Sequence, residues 1–229
     1  FSEPTIYTSS SCLLGREFRE ELGPDFAVAY KELERGTDAF AYVNPHLPLP
    51  SFRTRDRARA RLVGMVSAII ARRERERRET GDLLHALVRL RQRDGTPRYG
   101  ADQITGMFIA MMFAGHHTTS GTAAWTLIEM LRHPEVLAGV VSELDALYAD
   151  GREVSYQALR EIPQLENAIK EALRLHPPLV ILMRKVLRDF TYKNFLVPKG
   201  WMAMVSPGLS HTLAEVFKDP QRFDPSRFE

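Results

Sequence analysis

The most regular hydrophobic pattern in the chain runs from Asp102 to His133, where apolar residues recur every three or four positions and no proline interrupts them. Apolar residues occupy most faces of this stretch, which predicts a helix buried inside a domain. Asp102 in the first turn and Pro134 just beyond the end are typical of helix boundaries. At about 1.5 Å per residue the predicted helix is about 48 Å long.

A polar insert interrupts the middle of this stretch, from Gly115 to Gly121. Since a membrane span needs about 18 or more unbroken apolar residues, the insert excludes one. Thr118 and Thr119 can bond back to carbonyls one turn earlier and bend the helix. Gly115 has no side chain, so a flat body can lie against the backbone there. The insert therefore predicts a notch edged by a hydroxyl and an imidazole; a close helix crossing with core histidines is the alternative interpretation.

The remaining hydrophobic patterns predict further helices and then short strands of one small sheet, separated by turns rich in Gly, Pro, Asn and Asp. This order predicts a mainly α fold with a small β-sheet, organised as a single partial domain of residues 1–229. Its helical part is residues 1–178, and residues 179–229 carry the sheet and a final Pro-x-Arg-Phe segment. Helices are predicted for residues 4–14, 26–36, 51–78, 82–90, 134–148, 155–160 and 164–175, and strands for residues 179–184, 190–192, 195–197 and 202–205.

Composition sets limits on the function. The chain has 229 residues, of which 44% are hydrophobic, and this suits one globular unit with an ample core. A net charge of +2 gives no general attraction to nucleic acid. The single cysteine, Cys12, excludes an intramolecular disulfide and a Cys-rich metal site. Because small and apolar residues surround Cys12, a buried and inert thiol is expected.

One predicted helix is strongly basic. Ten arginines lie between Arg53 and Arg78, against Asp56, Glu74 and Glu76. Such a helix can bind anionic lipid, nucleic acid or an acidic partner. The arginines are scattered around the helix, which favours an ordinary solvated face. A non-catalytic helical module that binds an acidic partner through residues 53–78 remains an alternative function.

Three short motifs follow one another along the chain. Residues 114–119, Ala-Gly-His-His-Thr-Thr, are similar to the oxygen-binding signature in the long central helix of the cytochrome P450 family. The Glu-x-x-Arg of Glu171 and Arg174, followed by Leu-His-Pro-Pro, and the Pro-x-Arg-Phe of residues 225–228 are similar to two later family elements. His117 stands where most members have Asp or Glu, and a histidine there is typical of the sterol 14α-demethylase branch.

The resemblance covers nearly the whole chain and implies a haem-thiolate monooxygenase with the cytochrome P450 fold. It implies oxidative removal of the sterol 14α-methyl group with O2, and electrons from a ferredoxin or flavoprotein reductase. A P450 acting on another apolar substrate, a fatty acid or a terpenoid, remains an alternative. No nucleic-acid partner is implied.

The resemblance also predicts what lies outside the chain. The family's haem-ligand loop, with its cysteine, would follow Glu229, and an N-terminal portion would precede Phe1. The chain is thus expected to be an internal fragment without a metal ligand of its own for haem b, since Cys12 lies outside such a loop. A cytoplasmic location is expected, with a membrane anchor in the preceding portion left open.

Roles for single residues follow from the resemblance. For the residues assigned to a substrate cavity, ordinary core packing remains the alternative role. The assignments are His117 as a proton relay and Thr118 in oxygen activation; Ala114, Gly115, Thr118 and Arg184 as haem contacts, Arg184 through a propionate; Phe113, Ala114, Leu179 and Ile181 as substrate contacts; and Glu171, Arg174 and Arg227 as a buried charge network.

Overall fold

The computed structural model describes Thr5, Thr8, Ser11, residues 16–37, Asn44 and residues 46–229, with the side chains of residues 16–23 excepted. The helix predicted for residues 4–14 lies largely outside the described residues. Cys12, with its expected burial, also lies outside them.

The described chain is mainly helical with short strands, which confirms the predicted fold class. The long helices agree with the predictions, mostly to within a residue or two, except that α1 begins earlier than predicted. The α-helices are α1 (Arg16–Arg35), α2 (Pro50–Glu76), α3 (Leu83–Arg89), α4 (Ala101–Arg132), α5 (Pro134–Tyr148), α6 (Pro163–Leu175) and α7 (Pro207–Ser210); the strands are β1 (Leu182–Lys185), β2 (Phe190–Tyr192), β3 (Phe195–Val197) and β4 (Met202–Val205); 3-10 helices cover Ala158–Arg160 and Pro225–Phe228.

Helix α4 is continuous from Ala101 to Arg132, so the polar insert at residues 115–121 stays helical. The bend suggested by Thr118 and Thr119 remains a prediction. No helix in the described part of the chain is long and apolar enough to cross a lipid bilayer.

The chain divides into two compact units, residues 1–117 and 118–229, and α4 contributes to both. The first unit packs α1, α2, α3 and the first part of α4 around an apolar core. Gly36 lies where the end of α1 approaches the start of α2, because a Cβ there would stand 2.7 Å from the Ser51 carbonyl oxygen. The fully buried members of this core include Tyr30, Leu62, Val66, Leu84, Ile104 and Met112.

One arginine of the basic helix is buried, although the sequence predicts a solvated face. Arg73 is 6% exposed, and its guanidinium donates to Asp82 at 2.9 Å and to the Thr80 hydroxyl at 3.0 Å. Asp82 also accepts from the backbone amide of His85 at 2.9 Å, as the N-cap of α3. The sequence prediction of a uniformly solvated basic face is therefore wrong for Arg73, which joins the end of α2 to the start of α3.

Replacing Asp82 by Asn tests this junction, since Asn keeps the cap but removes the charge beside Arg73. We expect a loss of about 1–3 kcal/mol in the free energy of unfolding at pH 7. Burial raises the pKa of Asp82, but the hydrogen bonds from Arg73 and His85 outweigh burial and hold this pKa below its usual value. The contribution of Asp82 is therefore complete above its unfolded pKa of about 3.9 and lost as pH falls through the lower folded value.

Urea unfolding of the two proteins between pH 7 and pH 3.5 measures both effects. Asp56→Asn is the matched control, because Asp56 also pairs with an arginine of α2 but its side chain is 64% exposed. A surface pair of this kind contributes about 0–1 kcal/mol. Equal losses for the two variants would contradict a structural role for Asp82.

The second unit has an apolar core where the end of α4 packs with α5 and α6; its buried members are Met130, Val140, Ala168, Ala172 and Phe223. Its strands form two separate antiparallel pairs, β1 with β4 and β2 with β3. These short antiparallel strands agree with the small β-sheet content predicted from the sequence, and they are divided between two pairs. Lys193 and Asn194 both have positive φ, at 45° and 67°, so β2 and β3 close into a tight hairpin of their own. Strand β1 begins at Leu182, later than predicted. Residues 179–181, which follow Pro177 and Pro178, form no ladder with another strand.

Candidate functional site

One face of α4 carries the residues predicted for oxygen and haem contacts. Ala114 and His117 are exposed, whereas Gly115 and Thr118 are half-buried. Ala114 and Thr118 stand four positions apart, so they share this face. A small side chain and a hydroxyl therefore lie one turn apart on the α4 face that the described residues of the chain leave largely uncovered.

The side chain of Phe113 lies against the core and not on this face. Its side chain is partly buried and packs against the core of the first unit, with its ring 5.3 Å from that of Tyr30. The substrate contact predicted for Phe113 remains a prediction, and the structure places most of its surface in ordinary core packing.

His117 contacts a carboxylate that the sequence analysis did not assign. Nε2 of His117 lies against Oε1 of Glu34, on α1. The angle between the two groups is not that of a hydrogen bond, since Oε1 of Glu34 has no hydrogen-bond donor among the described residues. The close approach of the two atoms still defines an ion pair whenever His117 is protonated.

His116 lies beside this pair and is buried, with 2% of its surface exposed. Its Nδ1 is 2.7 Å from the hydroxyl oxygen of Thr5, and its ring centroid is 4.9 Å from that of His117. Burial lowers the pKa of His116, the charge of His117 lowers it further, and Glu34 acts in the opposite direction. The His116 ring is therefore neutral near neutral pH.

Tyr30 completes the surroundings of the cluster. Its ring is 6.1 Å from that of His116 in an edge-on arrangement. Its phenol is buried, and its oxygen has no hydrogen-bond partner among the residues that the structure describes. Burial raises the pKa of Tyr30 well above its usual value, and the negative charge of Glu34 raises it further. The phenol thus keeps its proton at any physiological pH.

The second unit contains the predicted charge network at the C-terminal end of α6. Arg174 donates to both carboxylate oxygens of Glu171, at 2.7 Å each, in a fork-to-fork pair. Arg227, from the last 3-10 helix, donates to the same carboxylate at 3.2 Å. The side chains of Glu171 and Arg174 are 0% and 2% exposed, and that of Arg227 is 14% exposed. The structure thus brings together the three residues that the sequence analysis grouped.

The remaining donors of Arg174 bind backbone rather than side chains. The guanidinium donates to the carbonyl oxygens of His211 at 2.8 Å, Pro220 at 2.7 Å and Arg222 at 3.1 Å. Glu171 also accepts from the backbone amide of Asp224 at 2.9 Å. The buried pair therefore fixes the irregular chain between residues 211 and 224 against α6.

The other predicted contacts lie on the segment leading into β1. Leu179 and Ile181 are 54% and 53% exposed. Arg184 is exposed, and its guanidinium donates to the Met183 carbonyl at 2.8 Å. No carboxylate of the described residues pairs with Arg184. The segment thus presents apolar side chains followed by a cation that has no anionic partner there.

A polar cluster in the second unit escaped the sequence analysis. The side chain of Glu129 is 5% exposed; its Oε1 is 2.8 Å from Nε2 of His176, and its Oε2 is 3.7 Å from Nδ1 of His133. The ring of Trp125 stacks on that of His176 at 3.9 Å. This cluster ties the last turns of α4 to the end of α6, and we assign it a structural role.

Glu34 was also missed, although its position in the sequence carries a signal. It follows Tyr30 by four residues and Phe26 by eight, so it lies on the stripe of α1 that forms the core of the first unit. A carboxylate on such a stripe needs a partner. The identity of that partner, 83 positions away at His117, has no local signal.

The comparisons with known proteins agree with this arrangement. The cytochrome P450 family profile matches residues 1–229, and the chain belongs to the cytochrome P450 family. A sterol 14alpha-demethylase of Mycobacterium tuberculosis is 53% identical over 233 residues, which cover 100% of this chain and 51% of that protein. Sterol 14-demethylase of Arabidopsis thaliana is 38% identical over 97% of this chain and 47% of its own length.

Among solved structures, the retinoic acid-bound cyanobacterial CYP120A1 has the same fold, with a TM-score of 0.84 and 24% identity. The match covers 99% of this chain and 51% of that one. The chain therefore spans about half the length of the relatives that it matches.

Proposed function

We propose that the protein containing this chain is a haem-thiolate monooxygenase that removes the 14α-methyl group of a sterol with O2. The observation that carries the proposal is the His117–Glu34 pair at the exposed face of α4, with Thr118 next to it in sequence. A proton-carrying pair beside a hydroxyl suits a reaction that consumes protons with oxygen. The names of the relatives at 53% and 38% identity support the sterol as substrate.

Each unit, taken by itself, offers residues whose chemistry suits a haem. Its macrocycle is flat and apolar with carboxylates at one edge, and the segment from Leu179 to Arg184 offers exposed apolar side chains followed by a cation. In the proposal Arg184 binds a propionate, and Ala114 and Gly115 lie against the ring because they are small. None of the described residues is a cysteine, so none of them would supply the thiolate. When bound, the haem supplies the oxygen chemistry.

The chain's own residues bind substrate and handle protons. His117 takes up and releases a proton, the carboxylate of Glu34 beside it stabilises the protonated imidazole, and the hydroxyl of Thr118 holds a proton at its Oγ1. The apolar side chains of Leu179 and Ile181 bind the sterol and exclude water. Glu171, Arg174 and Arg227 act at a distance from these steps, by holding the segment from 211 to 227 on α6.

Electrons come from a ferredoxin or flavoprotein reductase in this proposal. Membership of the cytochrome P450 family supports an enzyme over a non-catalytic module that uses the basic helix. A fatty acid or another terpenoid is the competing substrate class.

The whole protein, expressed with haem, tests both the class and the substrate. We expect a thiolate-type spectrum when it is reduced under carbon monoxide, and turnover of a 14α-methyl sterol to the demethylated sterol with release of formate. A sterol lacking the 14α-methyl group and a long-chain fatty acid are the controls, and mass spectrometry measures the products. A thiolate-type spectrum with fatty-acid or terpenoid oxidation alone would keep the class and overturn the substrate.

A further inference from the structure

Two histidines and a carboxylate converge in the first unit. One ligand atom each from Glu34, His116 and His117 lies within 4.8 Å of the others. Two imidazoles and one carboxylate form a donor set that favours Zn²⁺ over Mg²⁺ and Ca²⁺. We propose that this cluster is a zinc site at which Zn²⁺ inhibits the enzyme. The inhibitory part rests on the function proposed above.

The separations are within reach of a metal centre. Tetrahedral zinc with bonds of about 2.0–2.1 Å sets its ligand atoms about 3.3–3.4 Å apart. Binding must therefore draw the more distant ligand atoms together by up to about 1.5 Å, while Nε2 of His117 and Oε1 of Glu34 move slightly apart. These two side chains are the ones able to move. The side chain of His117 is 56% exposed and that of Glu34 is 27% exposed. A change of rotamer at these two positions brings the donors around a common point while the buried His116 stays fixed.

His116 is prepared for the role by its surroundings. Metal-binding histidines are usually held through their other ring nitrogen or by close packing, and Thr5 contacts Nδ1 of His116 at 2.7 Å. The ring is 2% exposed, so the packing around it holds the imidazole in place. Lys31 is the cationic side chain that acts against a metal here; it is exposed on α1, and solvent screens its charge.

Three protein ligands leave a coordination position for water. Binding of Zn²⁺ takes both His117 and Glu34 out of proton transfer, because their lone pairs are then held by the metal. The enzyme with bound zinc is therefore expected to consume oxygen with less product, while sterol binding is retained.

The experiment uses the whole haem-containing protein and Zn²⁺, with affinity measured by competition against a fluorescent zinc chelator. We expect one Zn²⁺ per chain, with affinity at least about tenfold weaker in each of Glu34→Gln, His116→Asn and His117→Asn. His46→Asn is the matched control, since His46 lies on an exposed turn, and it should bind like the parent. Millimolar Mg²⁺ should leave the affinity unchanged.

Equal affinity in the parent and all three ligand variants would overturn the site, as would the absence of binding below millimolar Zn²⁺. Circular dichroism of each variant shows that a lost site is not lost folding. If Zn²⁺ fails to bind while His117→Ala still uncouples the reaction, the zinc site is refuted and the proposed function is retained. Zinc binding that leaves product per oxygen unchanged would overturn the inhibitory part of the proposal.

Discussion

Replacing Glu171 by Gln in the whole protein is expected to lower the free energy of unfolding by about 3–5 kcal/mol. The carboxylate is fully buried and pairs with two guanidinium groups, those of Arg174 and Arg227. Gln has nearly the same shape but leaves both cations without an opposite charge. Because desolvated charge is costly, the loss comes from the unpaired arginines more than from the missing hydrogen bonds.

Glu166→Gln is the control on the same helix. Glu166 pairs with Lys170 at 2.7 Å, but the two side chains are 56% and 43% exposed. Such a pair contributes about 0–1 kcal/mol. Urea unfolding followed by circular dichroism measures both variants, and a similar small loss for each would mean that the buried network carries no special stability.

Replacing His117 by Ala in the whole enzyme is expected to lower product formed per oxygen consumed by about tenfold or more, with sterol affinity retained. The imidazole and the carboxylate of Glu34 form a single proton-carrying unit in the proposed function. Glu34→Gln should therefore have a similar effect, and the double variant should be little worse than either single one. Product and oxygen are measured together, beside the melting temperature.

The carboxylate of Glu34 determines which replacement at position 117 restores activity. A carboxylate at position 117 faces the Glu34 carboxylate, and two like charges at this distance oppose ionisation of both. His117→Glu alone is thus expected to recover little. The exchanged pair, Glu34→His with His117→Glu, keeps one imidazole and one carboxylate and should recover part of the coupling.

His85→Ala is the control for this pair, as His85 is a partly buried histidine on α3 that contacts Arg89. Its coupling should equal that of the parent. If His117→Ala lowers the melting temperature and leaves coupling unchanged, His117 is structural and the relay is refuted.

The sequence predicts the elements of this fold better than their partners. The period of apolar residues places α4 and α6, and the capping residues Asp82 and Ser155 mark short helical turns. These are local effects, so a window of a few residues contains them. Strand pairing is a long-range property, and the separation of β1 and β4 from the β2–β3 hairpin depends on contacts outside any such window.

The predicted site shows the same division. The resemblance to the family's motifs grouped Glu171, Arg174 and Arg227, which the structure brings into contact. Glu34 is joined to His117 only by the packing of α1 on the core, so the spacing between them carries no information. Arg73 was assigned to a solvated face because one helix alone does not show that Asp82 folds back against it.

The three carbonyls held by Arg174 lie 37–48 residues from it along the chain. They are fixed by one side chain and not by a ladder of backbone bonds. For the stretch from His211 to Arg222 to open locally, Arg174 must give up several charged hydrogen bonds, and Glu171 locks Arg174 in place. Opening of this stretch is therefore coupled to loss of α6, and the two behave as one cooperative unit. An irregular stretch of chain thereby acquires the resistance to proteases of the helix that anchors it.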